Sequence, residues 1–139
     1  RWPQGAARFN EMLTLGKPLY ANDASEIGMV SRLADDYAGL ISDAVKEVAA
    51  LTGDIRRIPD GQVAIGEIEV PDPPMAGKLP LSREAVAITR DTIQQGCAAP
   101  TFEDALEIGY KGFARTGCTD AAREGISAFL QKRKPEFTK

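Results

Sequence analysis

Histidine is absent from all 139 residues. Within the chain this excludes Ser-His-Asp and Cys-His nucleophilic systems and any imidazole general base. It also removes the commonest partner for a cysteine-based zinc site, and Cys97 and Cys118 form no C-x-x-C pair. Two such thiols read as buried or idle groups in a reducing cytosol rather than as a disulfide. Aromatic residues make up only 6% of the chain. No apolar run approaches the roughly 18 residues of a membrane helix. The opening R-W-P-Q-G-A-A-R-F has no hydrophobic core like that of a signal peptide, and it lacks an initiator Met, which reads as a processed or cut start. Neither a G-x-x-x-x-G-K-[ST] phosphate loop nor a G-x-G-x-x-G turn occurs. The net charge of −3 provides no global attraction to nucleic acid or to an anionic membrane.

What remains is ordinary for a globular domain with a modest core: 43% hydrophobic and 27% charged residues. Residues 5–15 carry Ala6, Phe9, Met12 and Leu13 at helical spacing, with Gly16 as the stop. Lys17 to Tyr20 is extended around Pro18, and Asn22 or Asp23 caps a short helix that ends at Gly28. Met29 to Leu33 reads as a short strand or connector. Asp35 or Asp36 then caps a helix whose stripe is Tyr37, Leu40, Ile41, Ala44, Val45, Val48 and Leu51, with Gly53 beyond it.

Residues 53–80 differ in kind. They hold Pro59, Pro71, Pro73, Pro74 and Pro80 of the nine prolines. V-A-I-G-E-I-E-V within them alternates well enough for one short strand or an extended surface segment, and the prolines after it forbid regular structure. The whole stretch reads as a long loop or insertion. Three helices finish the chain. Ser82 caps the first, which Gly96 ends; Thr101 with Asp104 caps the second; Thr119 caps the third. Phe102, Ala105, Leu106, Gly109 and Phe113 are the expected buried stripe of the second, and Ala122, Gly125, Ile126 and Phe129 share one face of the third. Gly109, Gly112 and Gly125 are poor helix formers whose presence points to close backbone approach between these last two helices.

Two stretches carry a resemblance. Residues 7–30 read A-R-F-N-E-M-L-T-L-G-K-P-L-Y-A-N-D-A-S-E-I-G-M-V, and residues 119–137 read T-D-A-A-R-E-G-I-S-A-F-L-Q-K-R-K-P-E-F. The first is similar to a crotonase-family (enoyl-CoA hydratase/isomerase) pattern: a helix ending in a Leu-Thr-Gly-like step, an extended pair, then A-x-x-A-x-x-x-G-[LM]-V. Leu13-Thr14, Gly16, Ala21, Ala24, Gly28, Met29 and Val30 match, with Leu15 intruding before the glycine. The second resembles the family's closing helix.

The resemblance implies a mostly α chain, the C-terminal helical region of a crotonase-like fold with a Pro-rich extended insertion. Residues 1–52 would end the crotonase-like core and its following helix, 53–80 would be the insertion, and 81–139 an oligomerising, CoA-covering segment. The backbone N–H pair that holds a thioester oxyanion, and the acids that move protons, would precede Arg1, leaving no catalytic residue in this chain. The family's helical region packs on a neighbouring subunit to form trimers, and its last helix helps cover CoA, here part of an acyl-CoA substrate and not a resident cofactor. By position, Phe129 and Lys132 resemble the family's CoA contacts. The Pro-rich segment departs from the family pattern. With S-R-E-A-V-A-I-T-R after it, that segment looks most like longer members acting on alicyclic CoA thioesters, among them 6-oxocyclohex-1-ene-1-carbonyl-CoA hydrolases.

The residues support the CoA reading on their own chemistry. CoA presents an adenine ring and a 3′-phosphate; a lysine attracts the phosphate as a point charge, and an aromatic face packs on adenine. Lys132, Arg133, Lys134 and Lys139 stand against Glu136 alone at this end. The plainer alternatives are a solvated basic tail at a helix C-terminus for Lys132 and core packing for Phe129. Glu103, Asp104 and Glu107 read as helix N-terminal acids rather than an acid–base pair, and Trp2 as packing against a preceding domain or lying at a cut end. No metal site is expected. A second class of function, a stand-alone helical oligomerisation module without catalysis, remains open on the sequence.

Overall fold

The computed structural model describes residues 5–51, 53 and 60–137. Trp2 and Lys139 therefore lie outside the described residues, as does Pro59. The protein is mostly helical: α1 (Ala6–Leu15), α2 (Ala21–Glu26), α3 (Tyr37–Ala50), β1 (Met75–Ala76), β2 (Leu79–Pro80), α4 (Arg83–Ala98), α5 (Phe102–Gly117) and α6 (Asp120–Leu130). Two compact units divide the chain, one of residues 1–18 with 59–139 and the other of residues 19–58. Among the described residues no helix is long and apolar enough to cross a membrane.

Local chemistry sets most helix starts. Asp36, Ser82, Thr101 and Thr119 each sit at the N-cap with an extended backbone, and each side chain accepts from the backbone N–H three residues on. Ends are set as locally. Gly16 closes α1 in the left-handed conformation, and Gly28 closes α2 the same way: its N–H donates to Ser25 O at 3.0 Å while Met29 N–H reaches Ala24 O at 2.8 Å. Two expectations fail here. Asn22 and Asp23 do not cap α2; Tyr20 is its N-cap and makes no side-chain bond, and Asp23 lies inside the first turn beside the helix dipole. Gly96 does not end α4, which runs on to Ala98. The stop is Pro100, which disfavours helix at Ala99, and Ala99 is extended (ψ 141°).

In the larger unit α4 and α5 form the principal helix pair, and α4 also meets α1 and α6. The approach is tightest at Gly112, where an added β-carbon would lie 2.2 Å from Thr92 Oγ1. Gly112 is thus pressed against α4, not against α6, and at Gly109 and Gly125 nothing lies within 4 Å of an added β-carbon. The expected close approach of the last two helices at these glycines is corrected accordingly.

The buried faces also differ from the expected stripes. α5 turns Ala105, Ile108, Gly112 and Thr116 inward and leaves Leu106 and Phe113 exposed. On α6 the buried residue is Ala128, while Ile126 and Phe129 are exposed. On α1 the buried positions are Ala6, Asn10, Thr14 and Leu15, and Leu13 is exposed. Small and hydroxyl residues let helices close up, so the core is thin, and no large side chain among the described residues is fully buried.

Among the described residues, 63–70 form neither helix nor strand, and hydrogen bonds hold this stretch and its flanks to the helices. Gly61 N–H donates to Pro100 O and Val63 N–H to Cys97 O, which completes carbonyls at the end of α4. Asn10 Nδ2 donates to Gly66 O at 3.2 Å, and Asp60 accepts from Phe102 N–H. A hairpin not foreseen from the prolines follows: β1 and β2 pair antiparallel across Gly77-Lys78, with Met75 opposite Pro80 and Ala76 opposite Leu79.

In the smaller unit α3 has no buried residue, and Tyr37, Leu40, Ile41, Val45, Val48 and Leu51 are all exposed. Its stripe is apolar and periodic as expected, but among the described residues of this unit none buries it. Arg32 and Glu47 pair across the unit at 2.7 Å.

Candidate functional site

The end of α6 places the two expected contact residues within one turn of each other. Phe129 is 83% exposed, so it does not pack into the core of this chain. The helix stops in a double hydrogen-bonded turn: Lys132 N–H donates to Phe129 O at 3.1 Å and Arg133 N–H to Ala128 O at 3.0 Å. Lys132 occupies the left-handed position of this turn, with φ 55°. It is the same turn that ends α2, with a lysine where α2 has Gly28. An L side chain in that region costs roughly 1–2 kcal/mol, and such outliers persist only where their surroundings hold them.

The basic cluster that the sequence presents as uniform is divided by the fold. Arg133 Nη1 and Nη2 grip Glu124 Oε1 and Oε2 at 2.6 and 2.9 Å in a bidentate pair. Glu124 also accepts from Glu136 N–H at 2.7 Å. The Arg133 hydrogen bonds first, and that backbone bond second, hold the Glu124 carboxyl down to about 2. Among the described residues the ammonium groups of Lys132 and Lys134 have no hydrogen-bond or ion-pair partner. The exposed ring of Phe129 and Lys132, unpaired among the described residues, thus offer a flat apolar face and a cation within one turn at one helix end. Sequence reasoning missed Glu124, whose spacing of nine residues from Arg133 falls outside any helical pairing rule.

Three clefts in the larger unit are lined otherwise. One of about 610 Å³ is lined by Arg83, Glu84, Asp120, Glu124, Glu136 and Phe137 among others. Its carboxylates outnumber its one cation, and Arg83 is already paired with Asp72, so this cleft repels a phosphate. A second, of about 260 Å³, runs from Leu13 and Thr14 past Val86 and Ala122 to Phe137. A third, of about 50 Å³, lies between Asn10, Gly66 and Arg90. Neither Phe129 nor Lys132 lines any of the three.

The remaining candidates are structural. Asp104 accepts from Thr101 Oγ1 at 2.7 Å as part of the α5 cap, and Glu107 pairs with Lys111 one turn along. Cys97 is half-buried, Cys118 is exposed, and both are free thiols. Among the described residues no three side chains are grouped to hold a metal ion.

No family model and no solved structure matches the chain. It is similar to a protein described as a probable enoyl-CoA hydratase from Bacillus subtilis (strain 168), with 28% identity over 133 residues. That similarity covers 96% of this chain and 41% of the relative, so the chain spans well under half the length of the protein it matches.

Proposed function

We propose that this chain is the C-terminal helical region of a crotonase-family acyl-CoA enzyme. The observation that carries the reading is the similarity to a probable enoyl-CoA hydratase along nearly the whole of the chain. In this reading Phe129 packs against the adenine of CoA and Lys132 attracts its 3′-phosphate. The enolate chemistry of hydration, isomerisation or hydrolysis is performed by groups that this chain does not contain. An alicyclic CoA thioester, of the kind opened by 6-oxocyclohex-1-ene-1-carbonyl-CoA hydrolases, is the finer substrate reading. The protein then turns over neither crotonyl-CoA nor a cyclic dienoyl-CoA, and turnover above background would sink that division of labour. Lys132→Ala weakens binding of CoA thioesters more than of the matching pantetheine thioesters, which lack the nucleotide. Equal losses on both would remove the phosphate role.

The second reading, a helical oligomerisation module, draws on one observation: Tyr110, Phe113, Ile126, Phe129 and Leu130 are all exposed on α5 and α6. In either reading these helices supply surface for self-association, trimeric in a crotonase-type parent. Light scattering on the purified protein tests this, and a monomer across the micromolar range would refute it.

A further inference from the structure

Three consecutive cations follow α6, and the fold treats them differently. Arg133 has its donors spent: besides its two bonds to Glu124, Nε donates to Gln131 Oε1 at 2.7 Å and Nη1 to Lys134 O at 3.1 Å. That occupies four of the guanidinium's five N–H groups. An arginine so engaged cannot give the bidentate fork by which a free arginine would capture a phosphate first. Lys132, next to it, has no partner for its ammonium among the described residues and is held at positive φ, where glycine would sit without steric cost. The residues pinned by Glu124, Arg133 and Glu136, both lie just beyond Lys132, and the Glu124 side chain is only 24% exposed.

We propose that Glu124 is a positioning residue: by holding Arg133 and Glu136 it keeps the turn after α6 closed and leaves Lys132, rather than Arg133, as the cation offered beside Phe129 to a phosphate group. The proposal rests on the nucleotide reading above for the identity of the anion. Its conformational half does not. The clamp withdraws the stronger phosphate binder, and what remains next to Phe129 is the Lys132 ammonium on a flexible stem, anchored through its backbone to the carbonyl of Phe129. That backbone bond keeps the two residues within one turn of each other, which suits a ligand carrying a flat base and a monoester phosphate on one sugar.

The test titrates the 139-residue protein with adenosine 3′,5′-bisphosphate at low ionic strength by calorimetry. Lys132→Ala is expected to weaken binding about fivefold in the wild-type background, the loss of one exposed charge contact. In a Glu124→Gln background the released Arg133 competes for the phosphate, and the same Lys132→Ala change is expected to cost less than about twofold. A Glu124 that merely supports the helix end predicts the fivefold loss in both backgrounds, and that result overturns the proposal. Independently of any ligand, the one-bond Cα–Hα coupling of Lys132 reports the sign of φ by NMR. It should indicate positive φ in the wild type and a return toward negative φ in Glu124→Gln; positive φ retained in the variant also overturns the proposal. A wild-type protein that ignores the bisphosphate while the coupling responds as expected removes the nucleotide reading and leaves the positioning role of Glu124 standing.

Discussion

Gly112 on α5 lies against Thr92 on α4 so closely that a β-carbon at 112 would fall 2.2–2.8 Å from three atoms of the threonine side chain. Thr92 has little freedom to yield, because its Oγ1 donates to Ile88 O at 2.7 Å. Gly112→Ala should therefore destabilise the protein by about 1–3 kcal/mol through overpacking. Gly109→Ala and Gly125→Ala, where an added β-carbon meets open space, should instead stabilise it by about 0.5–1 kcal/mol through helix propensity. Urea unfolding of the three variants gives the signs, and a stabilising Gly112→Ala would contradict the packing described.

Lys132→Gly separates strain from function. Glycine relieves the left-handed position, so stability should rise by about 0.5–1 kcal/mol after the loss of backbone entropy is allowed for. Affinity for adenosine 3′,5′-bisphosphate should fall as far as it does in Lys132→Ala. Thermal unfolding and calorimetry on the same samples decide it; a variant that is less stable than wild type refutes the strain.

Glu124 links stability to pH. Its carboxyl is held at about 2 in the folded protein, against an ordinary value of 4.5. A depressed carboxyl contributes stability that is fully present above the ordinary value and is lost as pH falls between the two. Stability should therefore decline from about pH 4.5 toward pH 2, more steeply in wild type than in Glu124→Gln. Glu11, lowered by Lys17 and Arg8, and Asp91, lowered by Gln95 and Arg115, act in the same direction and persist in the variant. Parallel acid profiles for the two proteins would show that the Glu124 pair does not hold in solution.

Thr119 and Thr101 cap successive helices in unlike surroundings. Thr119 is buried, and its hydroxyl both accepts from Ala122 N–H and donates to Thr116 O. The Thr101 cap is exposed. Thr119→Ala should cost about 1–2 kcal/mol, and Thr101→Ala about 0.5–1 kcal/mol, in denaturant unfolding. The reverse order would indicate that burial at Thr119 adds nothing to the cap.

Helix existence and most helix starts were legible in the sequence because they are decided within four residues. Asp36, Ser82, Thr101 and Thr119 cap from neighbouring positions whatever surrounds them. Gly28 was legible for the same reason. Which face of a helix turns inward was not. Periodicity locates an apolar stripe but does not say what covers it, and here Ala105, Gly112, Thr116 and Ala128 face the protein while Phe113 and Phe129 face out. A stripe of small residues was the available signal, and the larger side chains masked it.

By itself the sequence determined the helical character, the caps, the absence of imidazole chemistry and the concentration of cations after α6, all consequences of composition and short-range bonding. Only the tertiary structure decided that α5 closes on α4 at Gly112, that residues 60–66 bond to the helices, and that Arg133 is taken by Glu124 while Lys132 has no side-chain partner among the described residues. Those outcomes depend on residues nine or more positions apart in the chain, and no local propensity encodes which of several similar side chains will be brought together.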